Sequence, residues 1–202
     1  MDTRTSPTRL RLTQVREAMQ GHAIDAVLVP SSDPHLSEYL PAHWQSREWL
    51  SGFTGSMGTL VVSATKAALF ADSRYWTQAE AELAGSGIVL ERITSASSPA
   101  HVEWLAREMA PGQTVAVDAQ VIGLAAAQKL LSTLDAAGVK LRTDIDLFAE
   151  VWADRPALPA APVYEHEAPH ATQSRADKLA PLRAAMQKHG ATHHLVSTLD
   201  DI

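Results

Sequence analysis

The chain has 202 residues, a net charge of −6 and no cysteine, which excludes a disulfide framework, a thiol nucleophile and cysteine-ligated zinc. Its 17 basic residues are scattered among 23 acidic ones, so it presents no basic footprint for nucleic acid. No apolar run approaches the ~18 residues of a membrane span, the polar start MDTRTSPTRLRL lacks a secretory core, and the absence of Asn excludes N-glycosylation; the expectation is a soluble, cytoplasmic protein with no nucleic-acid or membrane partner.

The elements alternate along the chain. Ser6 is placed as an N-cap with Pro7 at the first helical position, and Leu12, Val15 and Met19 recur at helical spacing until Gly21. Asp25–Pro30 (DAVLVP) reads as a short strand buried on both faces, followed by the polar loop Ser31–His35. Thr59–Ser63 and Ala67–Ala71 flank Ala64–Lys66 as a hairpin, although no Asn-Gly or Gly-Xaa turn signature joins them. A helix near Tyr75–Leu83, a strand Ile88–Ile93 and a helix after Pro99 carrying Val102, Leu105 and Met109 come next. Strand Thr114–Asp118, helix Leu124–Ala137 and strand Val139–Arg142 complete the pattern. The fold class is α/β, a mixed β-sheet flanked by helices, because helices between strands permit parallel pairing while the hairpin supplies an antiparallel pair.

A boundary follows Trp152. Pro156, Pro159, Pro162 and Pro169 deny the next stretch a regular helix, so the chain divides into a domain over residues 1–152, a Pro-rich linker over 153–174 and a final segment over 175–202. That segment repeats the first. Laying Arg11–His35 over Lys178–Ile202 without a gap matches Leu12 with Leu179, Arg16 with Arg183, Met19 with Met186, His22 with His189 and Asp33 with Asp200. A period this long argues for two domains of one ancestry rather than a solenoid, whose repeats are about 20–50 residues. Arg175–His189 is then a second copy of the first helix and Thr192–Thr198 of the first strand, the start of a second domain that stops early.

Several residues invite chemical readings. His166–His170 spells H-E-A-P-H and matches the zinc motif H-E-x-x-H, yet Pro169 and the surrounding prolines offer no helix to align the two imidazoles, so the segment reads as a solvated linker. His193–His194 lies in the expected strand, with the rings on opposite faces. The loop Ser51–Gly58 (SGFTGSMG) places glycines at Gly52, Gly55 and Gly58, a spacing that is neither a dinucleotide fingerprint nor a P-loop, and Ser56 lacks the flanking glycines of an esterase nucleophile. It reads as a tight entry into Thr59–Ser63. Asp33 and His35 stand as an acid-base pair or, in the favoured reading, as turn residues bonding their own backbone. Asp72 and Arg74 read as a structural ion pair, with Asp72 also placed to cap the helix near Tyr75.

Four segments, Ser31–Tyr39 (SSDPHLSEY), Ser46–Ser63 (SREWLSGFTGSMGTLVVS), Ala68–Leu83 (ALFADSRYWTQAEAEL) and Trp152–Val163 (WADRPALPAAPV), resemble the amino-terminal region of three-domain Xaa-Pro aminopeptidases of the creatinase/prolidase family. The resemblance runs along almost the whole chain. It implies a creatinase-type, ribonuclease H-like amino-terminal domain followed by the start of a second copy. It further implies a parent metallopeptidase that releases the first residue of peptides with Pro at the second position. The family holds two divalent ions, manganese in the common case, through two Asp, one His and two Glu of a third domain, so no metal ligand or catalytic residue is carried over and this part alone is expected to be inactive. The family's dimeric arrangement implies a homodimer in which Asp33, His35, Arg47, Gly52, Phe53, Gly55, Ser56, Gly58, Asp72 and Arg74 line a substrate entrance or an interface. Ser73 stands where the family commonly has glycine and Met57 where it has alanine. The alternatives are a stand-alone creatinase-like binding module without peptidase activity and, within the enzyme class, a dipeptide-cleaving prolidase.

Overall fold

The computed structural model describes residues 6–196. The chain divides into two compact units, Met1–Leu158 and Pro159–Ile202.

The first unit opens with helix α1 (Pro7–Gly21), whose buried face is Thr8, Leu12, Val15, Ala18 and Met19. Ser6 does occupy the N-cap position, but its side chain makes no capping hydrogen bond. Strand β1 (Ala26–Pro30) follows, then helix α2 (Ser46–Ser51), strand β2 (Thr59–Ser63), strand β3 (Ala67–Asp72) and helix α3 (Trp76–Glu82). Strand β4 (Val89–Ile93), helix α4 (Ala100–Glu108), strand β5 (Thr114–Ala116), helix α5 (Leu124–Ala136), strand β6 (Lys140–Arg142) and helix α6 (Phe148–Val151) complete it. The six strands form one mixed sheet in the order β4-β3-β2-β1-β5-β6. Pairing is antiparallel for β1 with β2 and β2 with β3, and parallel for β3 with β4, β1 with β5 and β5 with β6.

Side-chain alternation explains why β1, β2 and β3 are apolar between their ends, with Thr59, Ser63 and Asp72 confined to strand termini. Val27, Val29, Leu60, Val62, Leu69 and Ala71 enter one core with residues of α1, α2, α3 and α6. Ala26, Leu28, Val61, Ala68 and Phe70 enter the other with residues of α4 and α5. Strands covered on both faces have no solvent side, so no position in the run favours a polar residue. The hairpin closes without Asn-Gly because Ser63 supplies the turn chemistry: its Oγ accepts from Lys66 N at 3.1 Å, and its N–H donates to Lys66 O at 2.9 Å. Strand β5 ends two residues earlier than its apolar run predicts. Val117 N and Ala119 N still donate to Arg142 O and Thr143 O at 3.0 and 3.2 Å, and there Asp118 accepts from Gln120 N at 2.9 Å and caps a short 3-10 turn over Ala119–Val121 that ends the extended run.

The second unit contains helix α7 (Arg175–Lys188), capped by Ser174, whose Oγ accepts from Asp177 N at 3.2 Å. Pro181 lies inside it, so one helical N–H is missing there. The expected strand Thr192–Thr198 is corrected in its described part: residues 192–196 carry no strand, and the rest of it, with Leu199–Ile202, lies outside the described residues. A ladder needs a neighbouring strand, and among the described residues this unit has none.

Helices α1 and α7 end alike. At the end of α1, His22 N donates to Ala18 O and Met19 O, Ala23 N to Gln20 O and Ile24 N to Met19 O. At the end of α7, His189 N donates to Ala185 O and Met186 O, Gly190 N to Gln187 O and Ala191 N to Met186 O. Both terminations require a left-handed residue, with φ 55° at Ala23 and 65° at Gly190. A Cβ in that region costs roughly 1–2 kcal/mol, offset in part by the ~0.5–1 kcal/mol of extra chain entropy that glycine loses on folding. Ala23→Gly should therefore raise the stability of the first unit by up to ~1 kcal/mol, read as a higher urea midpoint at unchanged slope; a lower midpoint would show that the turn is not strained.

Candidate functional site

The register places Pro30 opposite Thr59 and Thr59 opposite Phe70. The end of β1, the entry to β2 and the end of β3 therefore meet at one edge of the sheet, and three loops are gathered there.

The loop into β2 is built around one cation. Gly52 ends α2 at φ 74°, donating from its N–H to Glu48 O at 2.8 Å. Ser51 Oγ donates to Arg47 O at 2.7 Å and accepts from Phe53 N at 3.1 Å, which turns the chain so that Phe53, fully buried, plugs the core. Above it the Arg47 guanidinium donates from Nη1 to Phe53 O at 2.8 Å, from Nη2 to Gly55 O at 2.6 Å and from Nε to Ser31 Oγ at 2.6 Å. Its Cζ lies 4.9 Å from the centre of the Phe53 ring. Ser31 in turn donates to Gly58 O at 2.7 Å. Thus Arg47, buried to 6% exposure, ties the end of β1 to both halves of the glycine loop. Burial pushes its pKa down to about 10, a fall that the nearby Glu48 and Glu82 carboxylates and Tyr75 limit, so it stays charged at neutral pH.

Glycine at position 55 is a packing requirement. A Cβ there would lie 2.3 Å from Phe53 Cζ and 2.7 Å from Tyr75 Cδ1, and neither ring can yield, since Phe53 and Tyr75 pack edge to face at 5.9 Å. Further contacts pin the loop to α3. Glu82 accepts from Thr54 N at 2.9 Å and Thr54 Oγ1 at 2.8 Å, and Ser56 Oγ and Tyr75 Oη are 2.7 Å apart. Burial alone would raise the Glu82 pKa, but the hydrogen bonds from Thr54 and Gln78 outweigh it and hold the carboxyl below its usual value.

Asp33 and His35 do not form an acid-base pair. Asp33 is buried, and its Oδ1 accepts from the backbone N–H groups of His35 at 3.0 Å and Ser37 at 2.9 Å, while the His35 side chain is exposed. Asp72 and Arg74 form a bidentate pair, Nε to Oδ1 at 3.0 Å and Nη2 to Oδ2 at 2.8 Å. Asp72 does not cap α3: the N-cap is Tyr75, and the carboxylate accepts from Arg74 N at 3.1 Å instead.

Beside the caged arginine lies a cleft of about 230 Å³ whose walls include Arg47, Gly55 and Ser56 of the expected region, together with Ser31, Glu38, Tyr39, Leu40, Trp44, Glu48 and Thr54. Asp33, His35, Asp72 and Arg74 are not part of its lining. Sequence reasoning missed Ser31, Tyr75 and Glu82 as members of this edge, although Tyr75 directly follows Arg74 and Glu82 sits one helical turn after Gln78. The cleft carries hydroxyls, carboxylates and carbonyls beside the apolar side chains of Leu40 and Trp44, and among its lining residues no nucleophile stands beside a base. Among the described residues no three His, Asp or Glu side chains converge as a metal site, and no helix is long and apolar enough to cross a membrane.

Comparison with known proteins agrees with this architecture. Residues 11–148 match the creatinase/prolidase N-terminal domain, and residues 154–202 match a second model of the same description. The probable Xaa-Pro aminopeptidase P of Talaromyces marneffei is 40% identical over 200 residues, covering 98% of this chain and 30% of the relative. The corresponding Aspergillus niger protein is 38% identical, covering 98% and 32%. The chain thus spans about a third of the length of these curated relatives. Among solved structures, the X-prolyl aminopeptidase of Caenorhabditis elegans, a cytosolic enzyme with a di-nuclear active site, aligns with a TM-score of 0.77 at 30% identity, covering 91% of this chain and 31% of that one. The N-terminal domain of the peptidase PepQ from Mycobacterium tuberculosis aligns at 0.55 and 21% identity, over 71% of this chain and 98% of that one, a likeness of fold.

Two outcomes test the edge. Arg47→Ala strips charged donors from Phe53 O and Gly55 O and should cost about 2–4 kcal/mol in urea unfolding; Arg47→Lys, a point charge without the planar fork, should recover only part of it. A loss below ~0.5 kcal/mol for Arg47→Ala would dissolve the cage as a structural element. The hydrogen bonds from Arg74 are the main cause holding the Asp72 carboxyl below its usual value. Its contribution to stability is therefore complete above the ordinary carboxylate range, about pH 4, and is lost as pH falls through the depressed folded value. Asp72→Asn should flatten the acid limb of the stability-pH profile, and an unchanged limb would remove Asp72 from that account.

Proposed function

The chain belongs to the creatinase/prolidase N-terminal domain family, and from that premise we propose that it is the amino-terminal, non-catalytic part of a metal-dependent Xaa-Pro aminopeptidase. The observation that carries this reading is the run of identity along 98% of the chain with proteins named probable Xaa-Pro aminopeptidase P. The proposed substrates of the whole protein are peptides with Pro at the second position, from which it removes the first residue by hydrolysis.

The described residues offer no metal site, so no catalytic step is assigned to them. The two divalent ions of the proposed enzyme belong to residues beyond this chain; a carboxylate-rich set of ligands suits manganese, and such ions polarise the carbonyl under attack. The di-nuclear site of the C. elegans neighbour supports that count. The second match over residues 154–202 and the matching helix ends of α1 and α7 support the start of a second domain of the same ancestry.

For this chain we assign a shaping role. The Arg47 cage fixes the loop from Gly52 to Gly58, whose residues Thr54, Gly55 and Ser56 form one wall of a cleft with mixed polar and apolar lining, suited to border the path of a peptide or to contact a second subunit in a homodimer. Ser56 and Thr54, which line the cleft, are the residues through which that wall would be felt. The cytoplasm is the proposed compartment, in line with the cytosolic C. elegans enzyme.

The full-length protein, supplied with manganese, should release the first residue of a tripeptide with Pro second and leave the Ala-second analogue intact, whereas the 202-residue chain alone should turn over neither. Failure of the full-length protein on every peptide with Pro second, across manganese, zinc and cobalt, would end the aminopeptidase assignment.

A further inference from the structure

The segment His166–His170 has the composition of a zinc motif without its helix, and its geometry gives it a different use. Glu167 O accepts from His170 N at 3.1 Å and from Ala171 N at 3.0 Å, which makes a tight turn of the five residues. The turn brings the second imidazole back beside the first. Their ring centres are 5.6 Å apart and their planes are inclined by 47°.

That spacing is close to what a shared ion needs. A transition metal sits about 2.0–2.1 Å from a ligating ring nitrogen and so about 3 Å from the ring centre, which places two imidazoles on one tetrahedral ion with centres about 5 Å apart. Both histidines are exposed, so side-chain rotation can turn a nitrogen of each toward a common point, with the Tyr164 ring 6.3 Å from that of His166 as the aromatic neighbour. Glu165 and Glu167 flank the first imidazole and favour a cation locally, an effect that Arg175 tempers by pairing with Glu165 at 2.6 Å. Among the described residues no third His, Asp or Glu converges on the pair, so water would complete the coordination. Neutral imidazole prefers zinc, nickel and copper over manganese, which separates this site from oxygen-rich chemistry.

We propose that His166 and His170 form a two-histidine chelate for a divalent late first-row transition ion, which fastens the turn of the Pro-rich connector. The proposal does not depend on the aminopeptidase reading. A chelate differs from two independent imidazoles in that both rings lose their metal together.

Calorimetric titration of the 202-residue chain with zinc sulfate, and separately with nickel chloride, tests it. The histidine ring resonances are followed by NMR in parallel. One equimolar, saturable phase is expected, with the His166 and His170 rings responding at a common midpoint. His166→Ala and His170→Ala should each weaken it at least tenfold, while the double variant of His193 and His194 leaves it in place. Both ligands are exposed, so the variants should fold as the parent does, which a far-UV spectrum checks. Unchanged affinity in both single variants, a loss in only one of them, or ring shifts confined to His193 and His194 would overturn the chelate.

Discussion

Strands β1, β2 and β3 have no polar face, and most of the first unit is a response to that constraint. A sheet apolar on both sides must be covered twice, so α1, α2, α3 and α6 take one face and α4 and α5 the other. Backbone groups inside the sheet are satisfied by the ladder, which leaves the polar work to the strand ends. There the chain must turn, and the side chains that close each turn come from nearby: Ser63 for the hairpin, Asp33 for the loop after β1, Asp72 for the exit from β3.

The edge that carries the candidate site is the point at which local closure is not enough. The segment from Gly52 to Gly58 approaches β2 with carbonyls at Phe53, Gly55 and Gly58 that no ladder can reach, and the solution is a charge brought inside. Arg47 can be buried because a guanidinium offers five donors in a plane and three of them meet oxygens at 2.6–2.8 Å. Among the described residues no carboxylate forms an ion pair with it, so it works by satisfying dipoles. The cost of desolvation is visible in its lowered pKa, and the gain is a loop whose carbonyls at Phe53 and Gly55 are satisfied.

Much of this was legible in the residues, for a physical reason. Doubly covered strands leave short unbroken apolar runs, and α1, α4 and α5 are long enough to show helical periodicity. Helices α2 and α6, at 6 and 4 residues, are too short to show one and are defined instead by what they pack against. The end of β5 was misplaced because the capping by Asp118 competes with an apolar pattern that continues through Val117. At the site, the three glycines announced an unusual loop, but the role of Arg47 was hidden: its acceptors are two backbone carbonyls and a serine hydroxyl, and carbonyls leave no trace in sequence. The favoured reading of Asp33 as a turn residue bonding its own backbone holds, and the alternative pairing with the His35 side chain does not. Helix termination has strict rules, and Ala23 and Gly190 obey the same one with different residues.

The place of β1 in the sheet also orders the assembly of the molecule in time. Its antiparallel neighbour β2 is joined to β3 by a four-residue hairpin turn from Ser63 to Lys66, whereas its parallel neighbour β5 is met across 89 residues, at the contact where Asp25 Oδ2 accepts from Thr114 N at 2.8 Å. Closing so long a loop costs entropy before any contact rewards it. The three-strand meander with α1 can therefore form early on the emerging chain, and β5 and β6 add to its open side only after α4 has been made. Until then β1 presents an unpaired apolar edge, and that interval is when nascent copies of this chain are most exposed to one another.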